Sequence, residues 1–324
     1  MGMRWYVIRR LLWTAFATFV ILSATWGLLA VTPNQSVDQL QFQVASAGGS
    51  AEEAAEAFRA ARGLDRPLHE RYLDYMTNML SLNWGWSESR SQRVTTAIAE
   101  AIPYTAIYSV PTTILSILLG LSIGLYSATH QYTKTDYAAT FVGFFGYAIP
   151  NFWFAIVLLL VFGVNLGWVP VVFDADAPLL SGRMARQLIL PVFVLVTGTI
   201  AGTMRYSRAE ALEYVQAEFV KTARAKGASE LRVLARHVLR PAAVPLVTIL
   251  VGDILTIFLA ASYLVEVVFG IPGLGQLSFE AIVAQDTALV LGTTLIFTFV
   301  AILGNLLQDI AYTVLDPRID YGDR

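Results

Sequence analysis

The sequence predicts an all-α polytopic membrane protein with six transmembrane helices, and three observations carry that prediction. Hydrophobic residues make up 56% of the 324-residue chain and charged residues only 14%, with a mean hydropathy of +0.58. A soluble domain carries about a quarter charged residues. The apolar residues fall into six runs near or above the ~20 residues that a helix needs to cross hydrocarbon. Between the fourth and fifth runs lies one charged stretch, Arg205 to Arg240, whose eight Lys/Arg and four Glu hydrocarbon would exclude.

The first element, residues 1–31, pairs Arg4, Arg9 and Arg10 with an apolar run from Leu11 to Val31. That run is longer than the ~7–15-residue core of a signal peptide, and no small-x-small cleavage site closes it. It reads as a retained first transmembrane helix with a cytoplasmic N-terminus. Residues 32–102 form an extracytoplasmic segment. A helical patch rich in Ala and Glu runs from Ala51 to Ala61, and then Leu68, Tyr72, Tyr75, Met76 and Met79 recur at the spacing of an amphipathic helix. Trp84 and Trp86 flank Gly85 and suit a membrane interface. The segment reads equally as a small cap or as a surface for an external partner.

Residues 103–312 form a five-helix core. Its spans are expected from Pro103 to Thr129 with an interruption at Pro111, and from Tyr137 to Leu166 with a kink at Pro150. The others are expected from Gln187 to Met204, from Ala242 to Val265 and from Thr287 to Tyr312, ahead of a cytoplasmic tail over 313–324. The charged stretch, residues 205–240, is rich in strong helix formers and is broken by Gly227, so two short helices meeting at a glycine corner are expected. Lys134 in one short turn and the eight Lys/Arg of the charged stretch face the cytoplasm by the positive-inside rule, whereas Glu266 to Asp286 contains none. Both termini then lie in the cytoplasm.

Composition excludes several chemistries. The net charge of −2 gives no sign of nucleic acid; with no Cys there is no thiolate nucleophile or Cys-based metal site, and the three His are too few and too scattered to predict a metal centre. No G-x-x-x-x-G-K-[ST] loop occurs, so the chain has no ATP site of that kind and is not expected to be an enzyme. Asp253 is the one carboxylate expected near the bilayer centre, where an ionisable group is costly and by default functional; Asp309 is expected at an interface. An intramembrane aspartyl protease would need both at equal depth. A secondary transporter would need coupling residues and inverted repeats. Both classes stay open on the residues alone. Glycines in the spans (Gly143, Gly146, Gly198, Gly202, Gly252, Gly292, Gly304) permit close helix packing. EVVFGIPGLG, from Glu266 to Gly275 with Pro272 and Gly273 inside it, predicts a tight outer turn, either a connection or a gate.

The segment KTARAKGASELRVLARHVLRPAAVPLVT, from Lys221 to Thr248, resembles the EAA-loop signature of permease subunits of ABC importers, in its dipeptide/oligopeptide/nickel version. Gly227 falls at the fixed glycine, while Lys221 and Thr222 depart from the general E-A-A lettering. GLDRPLHERYLDYM, FWFAIVLLLVFGVNLGWVPV, LILPVFVL, VEVVFGIPGLGQL and LDPRIDYG resemble further family blocks, in order, over nearly the whole chain. They match the first permease of the pair, although TPNQS replaces the usual turn after the first span and Asp253 stands where a small or apolar residue is usual. The resemblance implies a type I importer permease of MetI-like fold in the inner membrane. It implies a second homologous permease, two ATPase subunits that hold ATP and Mg, and an extracytoplasmic substrate-binding protein. It implies peptide cargo, with a nickel chelate or oligosaccharide as alternatives. The charged loop would couple to the ATPases through Ala223, Lys226, Gly227, Ala228, Ser229 and Glu230, with Arg224 and Arg232 as rim charges. Asp253, Glu266, Pro272, Gly273 and Gly275 are the candidate pathway or gate residues.

Overall fold

The computed structural model describes residues 3–31, 35–61, 65–242, 246 and 262–315. It divides into two units, Leu11–Gly85 on one side and Met1–Arg10 with Trp86–Arg324 on the other. Four helices are long and apolar enough to cross a membrane, and two bent helix pairs bring the number to six if each is one span.

Helix α1 (Met3–Val31) belongs to the smaller unit from Leu11 onward, and α2 (Gln35–Ser46), α3 (Ala51–Ala61) and α4 (Leu68–Leu80) follow it there. Helix α4 follows from its apolar spacing: Tyr72, Tyr75, Met76 and Met79 are half-buried along one stripe. Leu68, expected on the same stripe, is instead exposed, because it is the first residue of the helix. The Tyr72 hydroxyl lies 2.7 Å from Ser23 Oγ, and its ring meets Trp26 edge-on at 5.2 Å, which ties α4 to α1. Trp84 is buried with its indole N–H donating to Met79 O at 3.1 Å.

The larger unit opens with a small departure from an all-α chain. Strands β1 (Trp86–Ser87) and β2 (Gln92–Arg93) form a two-stranded antiparallel hairpin. The Asp286 carboxylate holds it, accepting from Ser87 Oγ at 2.6 Å, Ser89 N at 3.0 Å and Ser89 Oγ at 2.8 Å. Helix α5 (Val94–Thr129) follows without a break. It starts nine residues before the expected Pro103 and runs through both Pro103 and Pro111, so the expected interruption is absent. A proline removes one backbone bond and crowds the preceding turn, but packing of neighbouring helices keeps such a helix continuous in membranes. Here the packing partner is α8 (Gly182–Val215), which is also longer than the expected Gln187–Met204.

The α5–α8 contact is a small-residue seam. A Cβ on Gly120 would lie 2.6 Å from Thr203 Cβ, and one on Gly124 would lie 2.6 Å from both Met204 O and Ser207 Cβ. Ser116 and Thr199 hydroxyls meet at 2.8 Å, and Ser207 Oγ donates to Leu121 O at 3.2 Å. Helix α6 (Lys134–Ala148) joins the same packing, since a Cβ on Gly146 would lie 2.5 Å from Thr197 O. The kink expected at Pro150 is a full break: α6 ends at Ala148 and α7 (Asn151–Leu158) starts after it, continuing as a wider π turn over Leu159–Asn165. The pre-proline residue Ile149 is extended, at φ −88 and ψ 128, as a following proline demands.

The expected fifth span, 242–265, falls largely outside the described residues, as does Asp253. Helix α11 (Ser262–Phe269) then turns by 85° into α12 (Leu274–Val283). Helix α13 (Thr287–Leu315) closes the described chain. Asp309, on α13, pairs with Arg10 at 3.0 Å, so it is an ion-paired group at a helix end.

Candidate functional site

Two sets of predicted residues are assembled at opposite ends of α5. The first is the charged corner. Its opening residues, Arg205 to Val215, are helical as expected but belong to the end of α8 rather than to a separate short helix. Helix α9 (Glu218–Ala225) follows a turn at Gln216 and Ala217, and α10 (Glu230–Arg232) follows the glycine, running on as a π turn over Val233–Val238. An eight-residue helix is marginal alone in water. Packing orders it: Val220 is buried with Ala128, Ala211, Val215, Val233 and Val238, Ala223 is buried as well, and burying a valine contributes about 1.5–3 kcal/mol.

The glycine corner is a complete Schellman motif. Gly227 has φ +80, its N–H bonds Arg224 O at 2.9 Å, and the Ala228 N–H bonds Ala223 O at 3.1 Å. These are the two bonds that satisfy the last carbonyls of a helix capped by a left-handed residue. Ala228 adds the accompanying apolar contact by packing on the valine cluster. No atom lies within 4 Å of a Cβ built on Gly227. The glycine is therefore required by backbone conformation alone.

The corner does not present every predicted residue. Arg224, Lys226, Gly227, Ser229, Glu230 and Arg232 are exposed, whereas Ala223 is buried and Ala228 half-buried. Ala223 is a foundation of the corner rather than part of its surface. Arg224 and Glu230, expected as rim and centre, pair across the turn, with Nε 3.2 Å from Oε1. Two exposed apolar residues, Phe219 at 48% and Leu231 at 78%, flank these charges and were not expected. Their signal was present as apolar letters inside a charged run, but helical phase alone could not tell an outward Leu231 from an inward Val233.

The second assembly is the glycine–proline turn at the other end of α5. Glu266 is fully buried. Its Oε1 accepts from Thr105 Oγ1 at 2.7 Å and from the Tyr108 hydroxyl at 2.6 Å, both on α5, and its Oε2 accepts from Gln276 N at 2.9 Å. Thr105 Oγ1 also accepts from Leu274 N at 2.8 Å, the first amide of α12. Gly270 turns the chain at φ +67. Gly273 leaves room for the carboxylate, since a Cβ there would lie 2.4 Å from Glu266 Oε1. Gly273 and Gly275 are buried and Pro272 is half-buried. Glu266, Pro272, Gly273 and Gly275 are thus one assembly, and Thr105 and Tyr108 are the partners that sequence reading did not supply.

Between the two ends, a groove of about 760 Å³ on α5 and α8 is lined by Ile107, Pro111, Leu115, Leu119, Val192 and Phe193, among others. It is almost wholly apolar and offers no charged group. Among the described residues no three His, Cys, Asp or Glu side chains are grouped to hold a metal ion.

These features define a polytopic, mostly helical membrane protein that carries a charged, glycine-capped helical corner. The family described as binding-protein-dependent transport system inner membrane component matches residues 116–321, and this chain belongs to that family. It is a permease of an ABC importer, a family that works with ATPase and binding-protein subunits and is not itself the ATPase. The chain is 38% identical over 269 residues to the oligopeptide transport system permease protein AppB of Bacillus subtilis (strain 168), covering 82% of this chain and 85% of that one. It is 31% identical over 317 residues to the oligopeptide transport system permease protein OppB of Haemophilus influenzae, covering 98% and 99%. The fold is similar to that in the crystal structure of an amino acid ABC transporter, with a TM-score of 0.51 at 14% identity over 68% of this chain and 95% of that one. It is likewise similar to that of the MetNI methionine ABC transporter in an inward-facing form, with a TM-score of 0.50 at 15% identity over 67% and 97%. At such identities the likeness shows the type I permease fold.

Proposed function

We propose that this chain forms half of a peptide translocation pathway, with a second homologous permease as the other half. Two ATPase subunits, carrying ATP and Mg, dock on the charged corners in the cytoplasm. An extracytoplasmic binding protein delivers dipeptides or oligopeptides at the Glu266 end. The observation that carries the reading is the corner itself: a motif-capped turn, fixed on a valine cluster, that presents Arg224, Lys226, Ser229, Glu230, Arg232 and Leu231 outward. A surface that transmits force needs such a foundation. Its cationic residues support a cytoplasmic position, and both termini then lie on the same side. Peptide cargo is supported by the similarity to the oligopeptide transport system permeases AppB and OppB. The apolar groove supports a division of labour in which the binding protein, not this chain, selects cargo.

The chain contains no cysteine, which makes the test direct. With Ser229→Cys in the assembled transporter, a cross-linker is expected to capture an ATPase subunit, and proteoliposomes are expected to take up labelled oligopeptide only with binding protein and ATP. Absence of the cross-link across several corner positions would sink the docking reading. Uptake of a nickel chelate or an oligosaccharide in place of peptide would reassign the cargo.

A further inference from the structure

A further buried carboxylate lies beside the corner, and the reading above gives it no role. Asp136, near the start of α6, is 2% exposed. Arg208 of α8 grips it with both terminal nitrogens, Nη1 to Oδ1 at 2.9 Å and Nη2 to Oδ2 at 3.0 Å. Ser127 Oγ, in the last turn of α5, donates to Oδ1, and the Tyr132 backbone N–H donates to Oδ2 at 2.9 Å. One carboxylate therefore ties the end of α5, the α5–α6 turn, the start of α6 and the base of the corner. The turn is shaped to serve it. Tyr132 has φ +61, a conformation that costs a non-glycine residue about 1–3 kcal/mol and that aims its N–H at Asp136.

A buried ion pair is weak evidence for stability, because desolvation offsets much of its attraction. Its worth here is geometric. The corner is packed on Leu125 and Ala128 of α5 and on Ala211 and Val215 of α8. Above it the glycine seams at Gly120, Gly124 and Gly146 bring α5 and α6 so close to α8 that a Cβ at any of the three would clash with it. The Ser116–Thr199 and Ser207–Leu121 hydrogen bonds pin α5 to α8 along the same face. Helix α5 then carries Thr105 and Tyr108, which hold Glu266. From Ser127 to Thr105 is 22 residues of continuous helix, a rise of roughly 33 Å, enough to cross the ~30 Å hydrocarbon layer.

We propose that α5 is a rigid strut between the ATPase-facing corner and the Glu266 turn, and that Asp136 and Arg208 are positioning residues that fix the corner to its inner end. The proposal rests on the reading of the corner as the ATPase dock. Displacement of the corner then carries α5, α6 and the base of α8 as one body. The Glu266 turn moves with them because it hangs on the same helix. Coupling by a discrete rigid-body shift is an established way for packed helices to transmit a change.

The test uses the assembled transporter in nanodiscs with spin labels on Lys134→Cys and Arg236→Cys, both exposed positions outside the docking residues. Between the nucleotide-free and ATP-trapped states the intrachain distance is expected to stay within about 2 Å, the scale of ordinary helix shifts. A larger change with the clamp intact overturns the proposal. Asp136→Asn is expected to lower peptide uptake per ATP hydrolysed by at least about fivefold, the lower end of ordinary coupling, and to broaden the label distance. An unchanged uptake-to-hydrolysis ratio overturns it. Should that variant fail to assemble, Arg208→Lys keeps the charge and loses the two-pronged grip, and the same ratio decides. Failure of the docking reading is distinguishable, because it shows as loss of the Ser229→Cys cross-link whatever the label distance does.

Discussion

Replacing Gly273 by alanine tests the Glu266 assembly most sharply. The backbone tolerates the change, since φ is −94, so any effect is steric. The new Cβ would lie 2.4 Å from Glu266 Oε1 and 2.5 Å from Thr105 Oγ1, where ordinary contact begins at 3.4 Å. Relief needs a displacement of 3.4 − 2.4 = 1.0 Å. Added to the 2.7 Å and 2.6 Å bonds from Thr105 and Tyr108, that displacement exceeds the ~3.2 Å limit of a good hydrogen bond. Each buried polar group so orphaned costs about 1–3 kcal/mol, or roughly 2–6 kcal/mol for two bonds. The assay is amide hydrogen exchange at Leu274 and Gln276, whose N–H groups donate into this assembly, together with peptide uptake. A local loosening of about 3 kcal/mol speeds exchange about 10²-fold, and uptake is expected to fall with it. Glu266→Asp, which withdraws the carboxylate by one methylene, is expected to restore part of the protection in the double variant. Wild-type exchange and uptake in Gly273→Ala would refute the reasoning.

Three further outcomes are expected. Gly227→Val places a β-branched residue at φ +80 and is expected to cost about 1–3 kcal/mol locally; cross-linking from Ser229→Cys should weaken while membrane insertion is unchanged, and an intact cross-link would count against the corner. Gly124→Leu is expected to separate α5 from α8, because even a Cβ there meets Met204 O at 2.6 Å; retained assembly and thermal stability would show the seam to be pliable. The hairpin latch is expected to fail in acid. Burial pushes the Asp286 carboxyl up, but hydrogen bonds from Ser87, Ser89 and the Leu289 amide outweigh it and hold the group below the usual carboxylate range. A depressed folded value means that the stabilisation is complete above the ordinary pKa of about 3.9 and is lost as pH falls through the folded one. Exchange protection of the Ser89 amide should therefore be flat from neutral pH to about 5 and collapse in stronger acid, and Asp286→Asn should remove that dependence.

Much of this was legible from local chemistry. Apolar run length gave the membrane class, the Ala/Glu patch gave α3 to the residue, and Gly227 gave the corner, because each of these is decided by neighbours in sequence. What escaped is decided by partners far along the chain. Pro111 reads as an interruption, yet α5 passes through it because α8 packs alongside. Arg205 to Val215 reads as part of a separate short helix because it is charged, yet it prolongs α8, where Ser207 and Arg208 find partners on α5 and α6. Ala223 reads as part of the docking core inside a motif, yet its side chain is buried and its carbonyl is taken up by the Ala228 amide. Glu266 was legible as a suspect carboxylate, but Thr105 and Tyr108 stand some 160 residues earlier, and nothing local points to them.

The hairpin latch bears on how the protein is made. Ser87 finds Asp286 across 199 residues of chain. At about 5–20 residues per second, a ribosome that has released Ser87 needs roughly 10–40 s more to supply its acceptor. Thr105 and Tyr108 wait almost as long for Glu266. Through that interval the nascent chain holds polar side chains that its own finished form buries, so the early helices must be sheltered, by water at the bilayer surface or by the insertion machinery, until the final third arrives. Chains truncated before Glu266 should accordingly be degraded rather than accumulate as a partly assembled bundle.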